Sequence, residues 1–150
     1  MASSKFSIAV HTLALLARSD SKPLKSETIA CLVKTNAVVI RRLLSELSRA
    51  ELVISQAGAA GGTRLARNPE EITLVEIYRA VSDSQIFALH RKAPDSGCEI
   101  WRSIEVVMVQ IQNKLDRVIE DILVKITLAE VLQMIEEENE RCKARMKNKK

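Results

Sequence analysis

Apolar residues in the first third of the chain recur every three or four positions in three separate runs, the spacing of amphipathic helices. The first run, "SSKFSIAVHTLALLARS", begins at Ser3 or Ser4, either of which can act as its N-cap, and "DSKP" ends it. The second, "SETIACLVK", is short, and its expected N-cap is Ser26. Only Thr35 and Asn36 separate it from the third, "AVVIRRLLSELSRAEL". Two helices joined so tightly predict a helix-turn-helix.

The third predicted helix has two contrasting faces. Its inward, apolar stripe is expected to consist of Val39, Ile40, Leu43, Leu44 and Leu47. Its outward face consists of Val38, Arg41, Arg42, Ser45 and Arg49. A helix fits the DNA major groove, where arginine can bond a guanine edge and a small apolar group can touch a thymine methyl. A solvated basic face on an ordinary helix is the alternative, but the preceding short helix and turn favour DNA recognition. In the second helix, the residues expected to face inward are Ile29, Leu32 and Val33, with Cys31 in the core.

Two short runs of alternating polarity, "LVISQ" and "TRLAR", follow the third helix and predict a β-hairpin. Three of the four glycines in the chain, Gly58, Gly61 and Gly62, fall in its loop, "AGAAGG". Glycine permits positive φ and close approach of the backbone to another surface. A minimal turn needs only one or two glycines, so the long loop favours a wing whose backbone meets phosphates, with Arg64 and Arg67 nearby as cations. A plain surface hairpin is the alternative.

The remaining pattern predicts three more helices and no internal repeat. Thr73 and Glu76 form a capping box at the start of a helix that should close the core. From Glu99 onward there is no glycine or proline, and apolar residues step by three or four as far as Ile126, which predicts one helix of about 26 residues, about 39 Å long. Thr127 begins a short amphipathic helix, "TLAEVLQMIEEENE", before a basic tail expected to be disordered.

A small winged domain cannot cover the apolar stripe of so long a helix, and the same helix from a second chain would cover it. The expected dimer interface consists of Trp101, Ile104, Met108, Ile111, Leu115, Val118 and Ile122. The predicted fold is therefore mainly α with a small β-hairpin: a winged helix-turn-helix domain plus a long dimerisation helix. The predicted division is residues 1–82 for the DNA-binding domain, 83–98 for a loop with one cysteine, 99–126 for the dimerisation helix, and 127–150 for the last helix and tail.

Charge supports the same assignment. The net charge of +4 combines a basic first part, residues 1–68 with ten Lys or Arg against four Asp or Glu, with an acidic stretch, 69–140, and a basic tail. A basic half indicates an anionic partner such as nucleic acid, although chance clustering of solvated charge is the alternative. No apolar run nears the roughly 18 residues of a membrane span, and no secretory signal is evident. Three widely spaced cysteines fit a reducing cytoplasm, and no catalytic motif indicates an enzyme.

Together these segments resemble the Rrf2 family of winged-helix regulators, the group that includes IscR, NsrR and CymR. The resemblance spans nearly the whole chain and rests on "KFSIAVHTLALLA", on "TNAVVIRRLLSELSRAELVISQAGAAGGTRLARNPEEITLVEIYRAV" and on a loop bearing a cysteine before the long helix. The chain is most similar to the YwnA-like branch, which lacks a cluster. The resemblance implies a homodimeric bacterial transcription factor, often autoregulatory, that binds a pseudo-palindromic operator in double-stranded DNA through its winged helix.

The predicted function is thus a homodimeric, sequence-specific DNA-binding transcriptional regulator, a repressor that responds to a redox signal or a small molecule. A protein–protein interaction module with only non-specific DNA affinity is the alternative. The expected DNA contacts are Ser4, Lys5, Ser26, Thr35, Asn36, Ala37, Val38, Arg41, Arg42, Ser45, Gly58, Ala59, Ala60, Gly61, Gly62, Thr63 and Arg64.

Cys98 is the one cysteine of the loop between the winged domain and the long helix, where cluster-binding members of the family carry three. Because an iron–sulfur cluster usually requires four ligands, mainly thiolates, we expect no cluster and no other cofactor or metal. Cys98 could instead be a thiol sensor, since it precedes a helix and has Arg102 one turn on. A structurally indifferent remnant is the alternative.

Overall fold

A computed structural model of the protein describes residues 4–82 and 99–147. Six α-helices and one hairpin follow each other in these ranges, and a single 3-10 turn, Pro69–Glu71, precedes the fourth helix. The elements are α1 (Lys5–Arg18), α2 (Ser26–Val33), α3 (Ala37–Arg49), β1 (Val53–Gln56), β2 (Gly62–Leu65), α4 (Leu74–Val81), α5 (Glu99–Leu123) and α6 (Leu128–Lys147). The predicted fold class, mainly helical with one small antiparallel hairpin, is confirmed.

The connection between α2 and α3 depends on two backbone features. Lys34 ends α2 in the left-handed conformation, with φ of 58°, and so reverses the chain within a few residues. Asn36 then caps α3, because its Oδ1 accepts a hydrogen bond from the backbone N–H of Val38 at 2.8 Å. The expected capping role of Ser26 is wrong: the N-cap of α2 is Lys25, which is extended, and Ser26 is the first helical residue. Ser4 is the N-cap residue of α1, but its side chain makes no capping bond.

The winged domain has one aliphatic core, to which α1, α2, α3 and α4 all contribute. The inward stripe of α3 is buried at Ile40, Leu43, Leu44 and Leu47, all at most 6% exposed. Val39, expected in this stripe, is 44% exposed, because it lies one residue, about 100° of rotation, before Ile40. The buried residues of α2 are Ile29 and Ala30, and Val33 is half-buried. Two further expectations for this helix are wrong: Leu32 is 52% exposed and Cys31 is exposed, since so short a helix buries only one side.

The hairpin pairs β1 with β2 from Val53 opposite Leu65 to Gln56 opposite Gly62. A Cβ at Gly61 would lie 2.2 Å from the carbonyl oxygen of Gln56, and one at Gly62 would lie 2.9 Å from that of Leu24. Leu24, which precedes α2, is held against the hairpin by reciprocal backbone bonds with Thr63 of 2.9 and 2.8 Å. These two glycines therefore permit close approach inside the protein itself, whereas the sequence suggested contact with phosphates.

The last two helices return to the winged domain through a repeated pentapeptide that the sequence analysis missed. "ITLVE" at 72–76 and "ITLAE" at 126–130 each place a threonine before a helix and a glutamate three residues later. The two segments meet antiparallel: Leu74 N–H donates to Ile126 at 2.8 Å, and Leu128 N–H donates to Ile72 at 2.8 Å. The side chain of Leu128 is fully buried in the domain core. The start of α6 is thus fixed to the start of α4.

The bounds of the last two helices also differ from expectation. Helix α5 ends at Leu123, before the predicted Ile126, because the chain turns to make the bridge between the two pentapeptides. Helix α6 continues to Lys147, so the basic tail is helical as far as Lys147, where we expected disorder. Ion pairs three residues apart, Arg141 with Glu138 and Lys143 with Glu140, support this last part.

Gly61→Ala should lower the free energy of unfolding by more than about 1 kcal/mol, because the added Cβ collides with backbone that cannot move away independently. Urea unfolding at fixed protein concentration measures this. Ala60→Gly, at an exposed position of the same loop, is the control and should change stability by at most about 0.5 kcal/mol. Equal stability of the two variants would contradict the packing assigned to Gly61.

Candidate nucleic-acid interface

Helix α3 turns a mixed polar and apolar arc towards solvent. Val38 is 49% exposed, and the arc continues around the helix through Arg41, Arg42, Ser45 and Arg49, all of them exposed. The buried aliphatic stripe on the other side of α3 holds this arc outward. Guanidinium groups, a hydroxyl and a short aliphatic group on one exposed helix are suited to the donor, acceptor and methyl pattern of a major groove.

A groove of about 660 Å³ lies between α3, the first turn of α2 and the hairpin. It is lined by Lys25, Ser26, Glu27, Arg41, Leu44, Ser45, Ser48, Arg49, Ser55, Gln56, Gly58, Gly61, Gly62 and Thr63. Three cations line it against a single acid, and the rest of its polar lining consists of hydroxyls, one amide and backbone. The arc and this groove together bring the helix-turn-helix and the wing onto one surface.

Arg41 is held by the first turn of α2. Its Nε donates to Ser26 Oγ at 3.3 Å, and its Nη2 donates to Glu27 Oε1 at 2.5 Å. The hydrogen bond from Arg41 is the largest cause that lowers the pKa of the Glu27 carboxyl below its usual range. Both side chains are more than half exposed, so the pair adds little to stability and its effect is on the orientation of Arg41.

Other cations on this surface are uncommitted. Within the described residues, Lys25, Arg42, Arg49 and Arg64 are exposed and make no hydrogen bond or ion pair through their side chains. The tip of the hairpin, Gly58 to Ala60, is also exposed, and Gly58 has φ of 108° with open space where a side chain would stand. These groups can bind an anionic ligand without the loss of a hydrogen bond or ion pair inside the protein.

Several residues expected to contact DNA are engaged within the protein instead. Lys5 forms an ion pair with Glu46 of α3 at 2.9 Å, which joins α1 to α3. Thr63 is 4% exposed, and its hydroxyl lies 2.8 Å from that of Ser55. Its side chain therefore faces the protein, because β2 alternates inward and outward residues and Thr63 occupies an inward position. Gly61 is buried as well, so the accessible tip of the wing is shorter than expected.

Arg67 is likewise committed, although the sequence suggested a cation near the wing. Its Nη2 donates to Glu76 at 2.8 Å. Burial alone would raise the pKa of Glu76, but the backbone N–H of Thr73 and the Arg67 guanidinium hold it below its usual range. Arg67 thus braces the N-terminal cap of α4.

Around the turn between α2 and α3, exposure is uneven. Thr35 and Ala37 are half-buried, and the backbone N–H of Thr35 donates to Ala30 at 2.9 Å. Asn36 is exposed and uses its carbonyl oxygen for the cap of α3, which leaves its amide N–H groups facing outward. Ser4 is exposed at the start of α1, and its backbone carbonyl accepts a bond from Ser7 Oγ at 3.1 Å.

Sequence reasoning missed two charged residues of the groove, Lys25 and Glu27. Lys25 adjoins Ser26 at a predicted helix start, so the reasoning that selected Ser26 could have found it. The partner of Glu27 lies 14 residues away, and only the crossing of α2 and α3 brings it into contact.

The predicted dimer stripe on α5 is exposed in the single chain. The exposed fractions are 45% for Ile104, 42% for Ile111, 38% for Leu115, 56% for Val118 and 57% for Ile122. Met108 is half-buried, and the side chain of Trp101 lies outside the described residues. Helix α5 contacts α4 on another side, where the Glu120 carboxylate accepts two hydrogen bonds from Arg79, so the winged domain leaves this stripe uncovered. The Arg79 bonds lower the pKa of Glu120.

Neither a metal centre nor a membrane span is found in the part of the chain that the structure describes. No group of three or more His, Cys, Asp or Glu within residues 4–82 and 99–147 could hold a metal ion. Likewise, no helix in these ranges is long and apolar enough to cross a bilayer. Cys98 lies outside the described residues, so its predicted sensing role stays a prediction.

A helix-turn-helix followed directly by a hairpin, with a basic groove between them, defines a winged helix-turn-helix DNA-binding protein. Comparison with known proteins agrees: the Rrf2 family, described as an iron-dependent transcriptional regulator, matches residues 2–134. The chain belongs to the Rrf2 family and is a DNA-binding transcriptional regulator rather than an enzyme.

Individual relatives support the assignment. The chain is 33% identical over 133 residues to YwnA of Bacillus subtilis strain 168, which is named as an HTH-type transcriptional regulator; the match covers 88% of this chain and 97% of YwnA. The structure of T. potens IscR is 28% identical with a TM-score of 0.67, covering 92% of this chain and 90% of IscR. CymR of B. subtilis, described as the global cysteine regulator, shares the fold at 22% identity and a TM-score of 0.61, covering 89% of this chain and 97% of CymR. The predicted family resemblance is confirmed.

Asn36→Ala should lower the free energy of unfolding by about 1 kcal/mol, because it removes the side-chain cap of α3. Asn36→Asp keeps an acceptor at the same place and should preserve most of this stability. Urea unfolding of the three proteins at one concentration tests the assignment. An alanine variant as stable as the original would show that the cap contributes nothing to the position of α3.

Proposed function

We propose that the protein acts as a homodimer that binds a pseudo-palindromic operator, with the α3 helix of each subunit in one of two successive major grooves. The observation that carries this proposal is the exposed arc of α3 beside a basic groove, held outward by the buried stripe of the same helix. Half-sites one helical turn apart follow from two-fold symmetry. The comparisons support a DNA-binding regulator, and the exposed stripe of α5 supports the second copy.

Within each half-site we assign base contacts to the α3 arc and phosphate contacts to its surroundings. Arg41 and Arg42 are the principal base readers, with Val38 and Ser45 beside them. Phosphates would be bound by Lys25, Ser26, Asn36, Arg49, Arg64 and the wing tip at Gly58, Ala59 and Ala60. Lys5, Thr63 and Arg67 are omitted because the protein already engages their side chains.

The dimer is proposed from the uncovered stripe of α5. From Ile104 to Ile122 its aliphatic residues cover about 27 Å of helix. Such a stripe is unfavourable in water, and a second copy related by a two-fold axis presents a complementary one. The bridge between the two pentapeptides fixes the winged domain to α5, so that pairing of the two α5 helices would set the distance between the two α3 helices.

We further propose that the protein works without an iron–sulfur cluster, although the family is described as iron-dependent. The chain has three cysteines. Cys31 lies on α2 and Cys142 on α6, both exposed, and neither is close to Cys98 in the sequence, which argues against the closely spaced set of thiolates that such clusters take. The regulator would then act in the cytoplasm as a repressor whose signal is a thiol reaction at Cys98 or a small molecule. Both the repressor role and the signal rest on the sequence.

The double variant Arg41→Ala and Arg42→Ala should abolish specific operator binding while leaving a folded dimer, because both side chains are exposed and neither fills the core. Mobility shift on the upstream region of the gene is the measurement. Arg141→Ala with Arg145→Ala removes the same charge from α6, away from the arc, and should bind like the original protein.

Two results would contradict this function. Unchanged binding by the Arg41 and Arg42 variant would mean that another surface reads DNA. Binding by the original protein that is equal for all sequences and disappears at moderate salt would support the interaction module instead.

Val118→Glu should convert the dimer to single subunits and weaken operator binding, because it places a carboxylate in the α5 stripe. Val106→Glu is a matched control: Val106 is 58% exposed against 56% for Val118, but it lies on the side of α5 that is opposite the centre of the stripe. Sedimentation velocity distinguishes the two outcomes. A Val118 variant that remains dimeric, or an original protein that sediments as one subunit, would remove α5 from the interface.

A further inference from the structure

Glu27 is the one acidic residue among the described residues that line the groove, in which the other charged groups are the cations Lys25, Arg41 and Arg49. A carboxylate on a surface that binds phosphates repels them, so its presence there suggests a specific structural role. Glu27 directs its carboxylate at the guanidinium of Arg41, and Ser26 bonds the same guanidinium from the same helical turn.

The two bonds use one edge of the guanidinium. Nε and Nη2 are occupied by Ser26 Oγ and Glu27 Oε1 respectively. A guanidinium has five N–H donors in a fixed planar arrangement, so the edge formed by Nη1 and the second N–H of Nη2 stays free. That edge matches the O6 and N7 acceptors of guanine. Arg41 is therefore held in place and still has a complete pair of donors to offer.

We infer that Glu27 is a positioning residue that makes Arg41 a reader of guanine rather than a general phosphate contact; this rests on the proposed function. The carboxylate fixes the free edge of the guanidinium towards the base. It also offsets the charge of Arg41, which weakens the attraction of this side chain to any phosphate. A base contact depends on geometry and keeps its strength, whereas non-specific attraction depends on charge and is reduced.

The test compares binding of two duplexes: the tightest sequence that the original protein selects from a random pool, and a scrambled version of it. Glu27→Ala should raise affinity for the scrambled duplex and steepen its salt dependence by about 0.9 in log Kd against log salt, the increment of one phosphate contact. Discrimination between the duplexes should fall about tenfold, the scale of one bidentate base contact. Glu27→Gln retains an acceptor but no charge, so it should keep more of the discrimination than Glu27→Ala.

Two controls separate this role from a general effect of charge or of folding. Glu70→Gln removes one negative charge from an exposed site beyond the groove and should leave discrimination unchanged. In an Arg41→Lys background, Glu27→Ala should cause no further loss of discrimination between the duplexes, because the guanidinium that Glu27 positions is already absent. Single-base changes in the selected duplex should show relaxed specificity in Glu27→Ala at the same position as in Arg41→Lys.

Equal changes in affinity for both duplexes in Glu27→Ala, or relaxation at different positions in the two variants, would overturn the inference. If the Arg41 and Arg42 variant still loses operator binding in that case, the proposed function stands and only the role of Glu27 falls. An original protein with no preference between the duplexes would overturn both.

Discussion

Burial of four aliphatic side chains of α3 is the constraint on which the rest of this structure depends. Ile40, Leu43, Leu44 and Leu47 fill the domain core, and a helix that buries one stripe must expose the opposite arc. Each of these side chains contributes roughly 1.5–3 kcal/mol on burial, far more than any exposed ion pair on this surface. The position of Arg41 relative to the wing is therefore determined by packing beneath it, and the polar contacts above adjust only its orientation.

A second constraint is the connection between the winged domain and α5. Two copies of one short motif, at 72–76 and 126–130, cap the helices that follow them and also bond to each other through the backbone. Backbone bonds and the buried Leu128 fix the angle between the winged domain and α5 better than exposed side chains do. The ion pair of Arg79 with Glu120 is a third contact between them. In the proposed dimer, such a connection would convert pairing of α5 into the placement of α3 at two half-sites.

Much of this fold follows from local chemistry that is visible in the sequence. Helical periodicity and the Thr73–Glu76 box depend on residues close in the chain, and the structure places them as predicted. Several of the differences concern contacts between distant segments. Gly62 lies too close to Leu24 for a Cβ to fit, and the bridge between the two pentapeptides ends α5 before the predicted Ile126. A single sequence shows which residues can make such contacts, but not which segments meet.

A single sequence likewise does not show which of its charged side chains pair with each other. The basic first half of the chain indicated an anionic partner, yet its cations are not equivalent. Lys5, Arg18 and Arg67 are paired with Glu46, Glu136 and Glu76, and so they join elements of the fold to each other. Arg42 and Arg49 in the arc and Arg64 on the wing have no such partner in the described residues. Arg41 is intermediate, since its charge is partly offset while one edge stays free. Net charge therefore overstates the attraction to phosphate, and the distribution of partners, which only the fold determines, separates cations that build the domain from those that can bind DNA.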